Sequence, residues 1–275
     1  MTSVIDAHHH LWNPAVRAYP WMVDELAKPF TLEDLRQVTA SAGVDRTLLV
    51  QTVSDLAETR EFLATAAASQ GLIAGVVGWV EPTGDVAGQI AELRDGPGGD
   101  LLVGVRHQVE DEADPDWFAR PGVVDGARSA AGAGLVTDLL VRFDQLPSAT
   151  RLVDAVPDGR FVLDHGAKPP MGTEDYGVWE TGVREVARRP QVVGKLSGLF
   201  TLDHQELLPV AVAHLIDVFG PDRLVFGTDW PVSTLAQEYA DVVARTRELL
   251  SGFSTSERDA VLAGNAVSTY QLQPL

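Results

Sequence analysis

Eight short apolar runs, each followed by a helix-like segment, recur from one end of the chain to the other, and no other feature restricts the fold as tightly. The runs fall near Val4–His8, Arg46–Val53, Ile73–Val80, Leu102–Gln108, Leu135–Val141, Arg160–His165, Val192–Ser197 and Arg223–Gly227. They are rich in Val, Leu and Ile and mostly apolar on both faces, as buried parallel strands are. The first helix candidate begins at Thr31-Leu-Glu-Asp34, a capping box with Asp in the Glu position, ahead of Leu32, Leu35 and Val38 on one face. Further candidates span Leu56–Gln70, Val86–Arg94, Gly122–Ala133, Gln145–Ala155, Val178–Arg189, Glu206–Phe219 and Ala236–Leu250. A last helix, Glu257–Ala263, follows the box Ser254-Thr-Ser-Glu257. Eight alternations in 275 residues predict an α/β fold, a closed (β/α)8 barrel of the TIM type, with residues 1–275 forming one domain. An open doubly wound sheet is the alternative. Dinucleotide and P-loop versions of it lack their glycine motifs here.

Composition narrows the chemistry. The chain has no cysteine, which removes disulfides, thiolate metal sites and a cysteine nucleophile. A formal net charge of −18, from 39 acidic and 21 basic residues, disfavours nucleic acid and anionic membranes and favours a neutral small-molecule substrate. No window approaches the roughly 18 apolar residues of a membrane span, and no basic and apolar leader follows Met1, so cytoplasm is the expected compartment. Assembly into a homo-oligomer is compatible with everything in the sequence.

In a barrel of this kind, binding residues gather at the C-terminal ends of the strands. The first strand ends Asp6-Ala-His8-His9-His10, and alternation puts His8 and His10 on one side and His9 on the other. Two imidazoles so placed can hold one ion or one water. The eighth strand ends Gly227-Thr-Asp229-Trp-Pro231; strands one and eight are neighbours in a closed barrel, so Asp229 can converge with both histidines. Asp229 is alternatively a turn former. His165 ends the sixth strand and shares a face with Phe161 and Leu163, which leaves Asp164 on the opposite face with a structural part. Lys195 interrupts an apolar run at the end of the seventh strand, where it can neutralise an oxyanion, bind a substrate hydroxyl or simply reach solvent. Arg106 and His107 end the fourth strand on opposite faces, so one of them enters the pocket. Gln51, Trp79, Glu81 and Asp138 are weaker candidates, and Trp12, Trp21, Trp79 and Trp230 near strand ends suit stacking on a sugar. Gly-x-Ser-x-Gly and His-Glu-x-x-His motifs are absent from the sequence.

Asp-x-His-x-His at the first strand with Gly-Thr-Asp-Trp-Pro at the eighth resembles the amidohydrolase-related family, and within it the sugar-acid lactonase branch. Supporting segments are His10-Leu-Trp12, Tyr19-Pro-Trp21, Gly104-Val-Arg-His107, Leu163-Asp-His-Gly-Ala-Lys-Pro169, Lys195-Leu-Ser-Gly198 and Gly264-Asn-Ala266. The resemblance implies a hydrolase opening an aldonolactone, such as an L-fucono- or L-rhamnonolactone. Asp229 would be the general base, and His8, His10, His165 and Asp229 would hold water or one divalent metal, zinc foremost. Arg106, Lys195 or His165 would stabilise the carbonyl oxygen, with Arg106, His107, Trp12, Trp21, Trp79, Lys195 and Trp230 around the substrate. The fifth strand lacks the family's usual additional ligand, ending Thr137-Asp138-Leu139, so the metal is expected to be weakly held or absent. A metal-dependent decarboxylase, a pyrone dicarboxylate lactonase and a catalytically silent sugar-binding barrel are the competing readings.

Overall fold

A computed structural model describes residues 3–273, so the extreme ends of the 1–275 domain lie outside the described residues. The eight strands are β1 (Ile5–His9), β2 (Arg46–Val50), β3 (Ile73–Gly78), β4 (Leu102–Gln108), β5 (Val136–Leu140), β6 (Arg160–Leu163), β7 (Val192–Leu196) and β8 (Leu224–Phe226). They form one sheet in sequence order, every pair parallel. The crossover helices are α1 (Leu32–Ala42), α2 (Leu56–Ala68), α3 (Val86–Asp95), α4 (Pro121–Gly132), α5 (Leu146–Ala155), α6 (Tyr176–Ala187), α7 (Leu208–Phe219) and α8 (Tyr239–Leu249). After them come α9 (Thr255–Asp259), a π-helical turn Ala260–Gly264, and α10 (Asn265–Tyr270). Both capping boxes form: Thr31 with Asp34 opens α1, and Ser254 with Glu257 opens α9. Among the described residues no helix is long and apolar enough to cross a membrane.

The barrel closes through a seam between β1 and the chain just after β8. The Asp229 amide donates to the His8 carbonyl (2.8 Å), and the His10 amide donates to the Trp230 carbonyl (2.7 Å). Asp6 fastens the same seam from below. Its buried carboxylate accepts from the Thr228 amide (2.8 Å), the Thr228 hydroxyl (2.6 Å) and the Tyr239 hydroxyl (2.9 Å).

Two apolar cores separate across the sheet. Phe161 and Leu163, with most large side chains, pack between the sheet and the helices. Inside the barrel, Ile5, Ala7, Leu48, Val50, Val77, Val136, Val162 and Val225 fill the lower half, and Ala263, Ala266, Tyr270 and Leu272 close its floor. A register shift between Asp6 and His9 interrupts the alternation of β1. Beyond it His8 and His10 turn together into the mouth.

Candidate active site

Three groups from the seam converge. His8 Nε2 lies 3.3 Å from His10 Nε2 and 3.6 Å from Asp229 Oδ1, and His10 Nε2 lies 3.3 Å from the same carboxylate oxygen. Each is placed by its backbone. Asp229 sits in the left-handed region (φ 60°), turning its carboxylate back over β1. His10 Nδ1 bonds the Val50 carbonyl at 2.8 Å. A carbonyl only accepts, so a neutral His10 carries its proton on Nδ1 and presents the Nε2 lone pair to the mouth. Gly227 allows this packing, because a Cβ there would fall 2.6 Å from His8 Cβ.

His165 reaches the mouth by a route that alternation does not describe. Phe161 and Leu163 face the helices, so the inward series on β6 is Val162 and then Asp164, and the face His165 would share with Phe161 and Leu163 is the outer one. The strand ends at Leu163, and His165 enters only because the chain turns left-handed there (φ 55°). Its Nδ1 bonds Ser197 Oγ at 2.8 Å, and the ring rests on Gly198, where a Cβ would lie 2.5 Å from that nitrogen. His165 does not complete the metal set expected with His8, His10 and Asp229; its ligand atom groups instead with His8 and Asp164.

Beneath the mouth is a buried charged layer. Arg106 donates from Nε to Gln51 Oε1 (2.9 Å), from Nη2 to the Gln51 carbonyl (2.6 Å) and from Nη1 to Asp164 (2.9 Å), with His8 Nε2 at 3.2 Å from Nη1. The Lys195 ammonium lies 2.6 Å from Asp138, 2.8 Å from Asp164 and 3.3 Å from His8 Nδ1. Asp164, assigned a structural part from sequence, thus joins Arg106, Lys195 and His8. Lys195 is 0% exposed and does not border the cavity, so the expected direct contact with substrate is corrected: the ammonium acts on His8 and two carboxylates.

The charge states follow from these neighbours. Burial holds the His8 ring well below its ordinary pKa; Asp164 opposes this and Lys195 reinforces it, so the ring is neutral. Burial works against an ionised Asp229; protons carried on the surrounding His165, His10 and His8 rings would favour it, His165 foremost, and the net direction for the carboxyl is below its usual range. Burial likewise disfavours the Lys195 cation, and Asp138 with Asp164 more than restores it.

The mouth is a cavity of about 240 Å³ bordered by His10, His165, Asp229, Arg106 and Trp21, with a rim of Gln108, Glu110, Asp111 and Lys168. Lys168 is ion-paired with Glu110. Of the four tryptophans expected around a sugar, only Trp21 borders this cavity. Trp12 is buried, donating to the Leu26 and Lys28 carbonyls, and Trp230 is buried against Phe30 and Tyr239. His107 and Trp79 are also displaced from the expected site. Trp79 Nε1 donates to His107 Nδ1 (3.0 Å), whose Nε2 contacts Glu112 (2.8 Å) and whose ring stacks on Trp117 at 4.4 Å. Of the Arg106–His107 pair, Arg106 faces the mouth. Sequence reasoning gave no part to Lys168, Asp111 or Asp6; the acidic run Glu110-Asp111-Glu112 straight after a strand end was the available signal for the rim.

His8 Nε2, His10 Nε2 and one Asp229 oxygen fit a divalent ion. Tetrahedral ligands at about 2.0–2.1 Å from zinc stand roughly 3.3 Å apart, close to the separations here, and two imidazoles with one carboxylate leave a coordination position open. Arg106, beside the same His8 nitrogen, competes for it.

The barrel thus carries two converging histidines at the end of its first strand and an aspartate just after its last. The family model described as amidohydrolase matches residues 5–272, and the chain belongs to that family. It is 34% identical to an L-fucono-1,5-lactonase of Burkholderia ambifaria, over 99% of this chain and 97% of the relative. Against an L-fucono-1,5-lactonase of Burkholderia multivorans the identity is also 34%, over 98% and 96% of the two chains. A crystal structure of an amidohydrolase from Burkholderia multivorans with bound zinc superposes with a TM-score of 0.91, at 31% identity, covering 98% of this chain and all of that one.

Proposed function

We propose that the mouth hydrolyses a neutral sugar-acid lactone, an aldonolactone of the L-fucono or L-rhamnono kind, to the open-chain acid. The observation that carries this reading is the convergence of Asp229, His10 and Arg106 on one cavity at the barrel mouth. The two curated lactonases that match almost the whole chain support the same substrate class. A lactone carbonyl is attacked by water. Asp229 takes a water proton as the oxygen–carbon bond forms, with His10 3.3 Å away to share it. Arg106, the buried cation bordering the cavity, faces the charge growing on the carbonyl oxygen, with His165 beside it. The ring carbon–oxygen bond then breaks, Asp229 returns the proton to the leaving hydroxyl, and the new acid releases one proton to solvent. Trp21 offers an apolar face for the sugar ring, and the rim acids accept from its hydroxyls.

A divalent ion, zinc first, would be held by His8, His10 and Asp229, at most one per chain and weakly, where it would polarise the carbonyl or acidify the water. Metal content and activity before and after chelation test this directly; two ions per chain would contradict it. For substrate class, aldonolactones, a pyrone dicarboxylate and a salicylate-type acid are compared at one concentration in a weakly buffered indicator assay. Acid release confined to aldonolactones is expected. Preference for the dicarboxylate, or carbon dioxide from the aromatic acid, would replace the reading by the corresponding rival.

A further inference from the structure

At the rim of the mouth, Lys168 from the turn after β6 meets Glu110 from the turn after β4. Both border the cavity and form an ion pair, with side chains 35% and 18% exposed. Lys168 ends a run of four consecutive left-handed residues, His165 (φ 55°), Gly166 (φ 54°), Ala167 (φ 60°) and Lys168 (φ 51°). Three of these are not glycine, and Lys168 precedes Pro169, where extended backbone is preferred. Such a run is costly and persists only where its surroundings hold it. Here the Gly166 carbonyl accepts from the buried Trp179 Nε1 (2.7 Å), and the Lys168 amide donates to the His165 carbonyl (2.9 Å). Across the mouth, Gln145 Nε2 donates to the Val109 carbonyl (2.8 Å) and Arg142 donates to the Glu110 carbonyl. The backbone is thus fixed at both ends of the pair.

Among the described residues, Arg106 and Lys168 are the basic side chains of lysine or arginine type that border the cavity, and they are occupied differently. Arg106 is buried and donates to Gln51 and Asp164. Lys168 stands at the rim with an ammonium of three N–H groups. A partly exposed ammonium at the edge of a pocket is a natural receptor for a carboxylate. Glu110 fills that receptor from within the chain. A ligand carboxylate arriving there meets an ammonium already neutralised, with Glu110 beside it and Asp111 on the same rim, and like charges repel. A hydroxyl suits the pair, because it accepts from the ammonium and donates to the carboxylate at once.

We propose that the Lys168–Glu110 pair is the charge filter of the mouth: Glu110 takes the ammonium that would otherwise hold a carboxylate, so a lactone bearing a further acid group is turned away and a neutral hydroxylated one is admitted. The inference rests on the neutral-lactone reading and deepens it, by naming the two residues that set the preference. Taking the charge from Glu110 releases Lys168 as a carboxylate receptor and widens the mouth to sugar diacids.

The experiment compares the unmodified protein with Glu110→Gln, Glu110→Gln/Asp111→Asn and Glu110→Gln/Lys168→Met, each checked for folding by circular dichroism. Binding is measured by calorimetry with glucarate, a sugar diacid with no ring to open, and with gluconate, its mono-acid. The ratio of the two dissociation constants isolates the further carboxylate. In Glu110→Gln this ratio is expected to move roughly tenfold in favour of the diacid at low ionic strength, and the gain should fade by about 0.5 M salt. Adding Lys168→Met should abolish the gain. A gain seen only when Asp111 is also neutralised supports the filter and adds Asp111 to it. The kinetic arm uses a neutral aldonolactone and a lactone of the same ring carrying a carboxylate: the ratio of their kcat/KM values should move the same way, while KM for the neutral one rises several-fold through loss of an acceptor. Unmodified protein that prefers the acidic lactone would fail the neutral-lactone reading. The binding arm needs no turnover, so it judges the filter separately. Ratios unchanged in both folded variants that keep Lys168 would overturn the proposal, as would a gain of equal size in the variant without Lys168.

Discussion

The upper and lower halves of the barrel interior are built from the same strands and have opposite chemistry. Below, Ile5, Leu48, Val50, Val77, Val136, Val162 and Val225 meet the C-terminal helix in an aliphatic core. Above them stand His8, Arg106, Asp138, Asp164 and Lys195, all buried and tied to one another. The aliphatic half gains stability by removing apolar area from water. The charged half must offset the desolvation of two cations and two carboxylates by mutual pairing, which makes it a device for orientation more than for stability. Changes in the two halves should therefore separate cleanly between turnover and unfolding.

The largest expected effect lies in the mouth. Asp229→Asn preserves the fold and lowers kcat by about 10²–10⁴-fold, the usual weight of a general base. Turnover within a few-fold of the unmodified protein would remove Asp229 from the reaction. Next comes the opposite case. Leu48→Ala in the floor should destabilise by roughly 2–5 kcal/mol in a denaturant titration, with kcat per folded molecule unchanged. A comparable loss of kcat would show that the halves are not separable. Trp21→Ala, at the cavity wall, should raise KM for a hydroxylated lactone several-fold, since stacking of this kind is worth about 0.5–1.5 kcal/mol. An unsubstituted lactone of the same ring size should be much less affected, and equal effects on both would argue against ring stacking.

The smallest effect concerns Glu58, buried under the rim and bonded by the Thr52 amide and hydroxyl and the Val53 amide. Burial pushes its pKa above the ordinary 4.5, the bonds from Thr52 and Val53 only partly offsetting this. The folded state therefore keeps this proton to higher pH than the unfolded chain does. Its contribution to stability falls as pH rises from about the ordinary glutamate value through the raised one. Glu58→Gln should remove that slope from stability measured between acid and neutral pH; an unchanged slope would assign it elsewhere.

Much of this was legible in the sequence. The eight strands, the two capping boxes, the order of the sheet and the placing of His8, His10 and Asp229 at one seam follow from apolar period and strand order. The errors have a common physical source, which is that alternation holds only inside a regular strand. Alternation correctly separates Asp164 from Phe161 and Leu163, but it does not say which face is inner; the bulk of Phe161 and Leu163 packs against the helices, so the Asp164 row is the inward one. His165 enters through a left-handed turn that no period announces. Lys195 was expected to touch substrate because a buried lysine needs a task, but its partners come from β5, β6 and, through Asp138, the far C-terminal helix. Tryptophans cluster near strand ends for two reasons, and sequence alone does not separate one that borders the cavity, such as Trp21, from a structural wedge such as Trp12.

The central claim, that water activated in the mouth adds to a lactone carbonyl, is tested most directly by turnover of an aldonolactone in water enriched in 18O. The account predicts one heavy oxygen per product molecule, in the new carboxylate and none in the released hydroxyl. A product that forms without incorporating solvent oxygen, as in a rearrangement of one lactone into another, would contradict it.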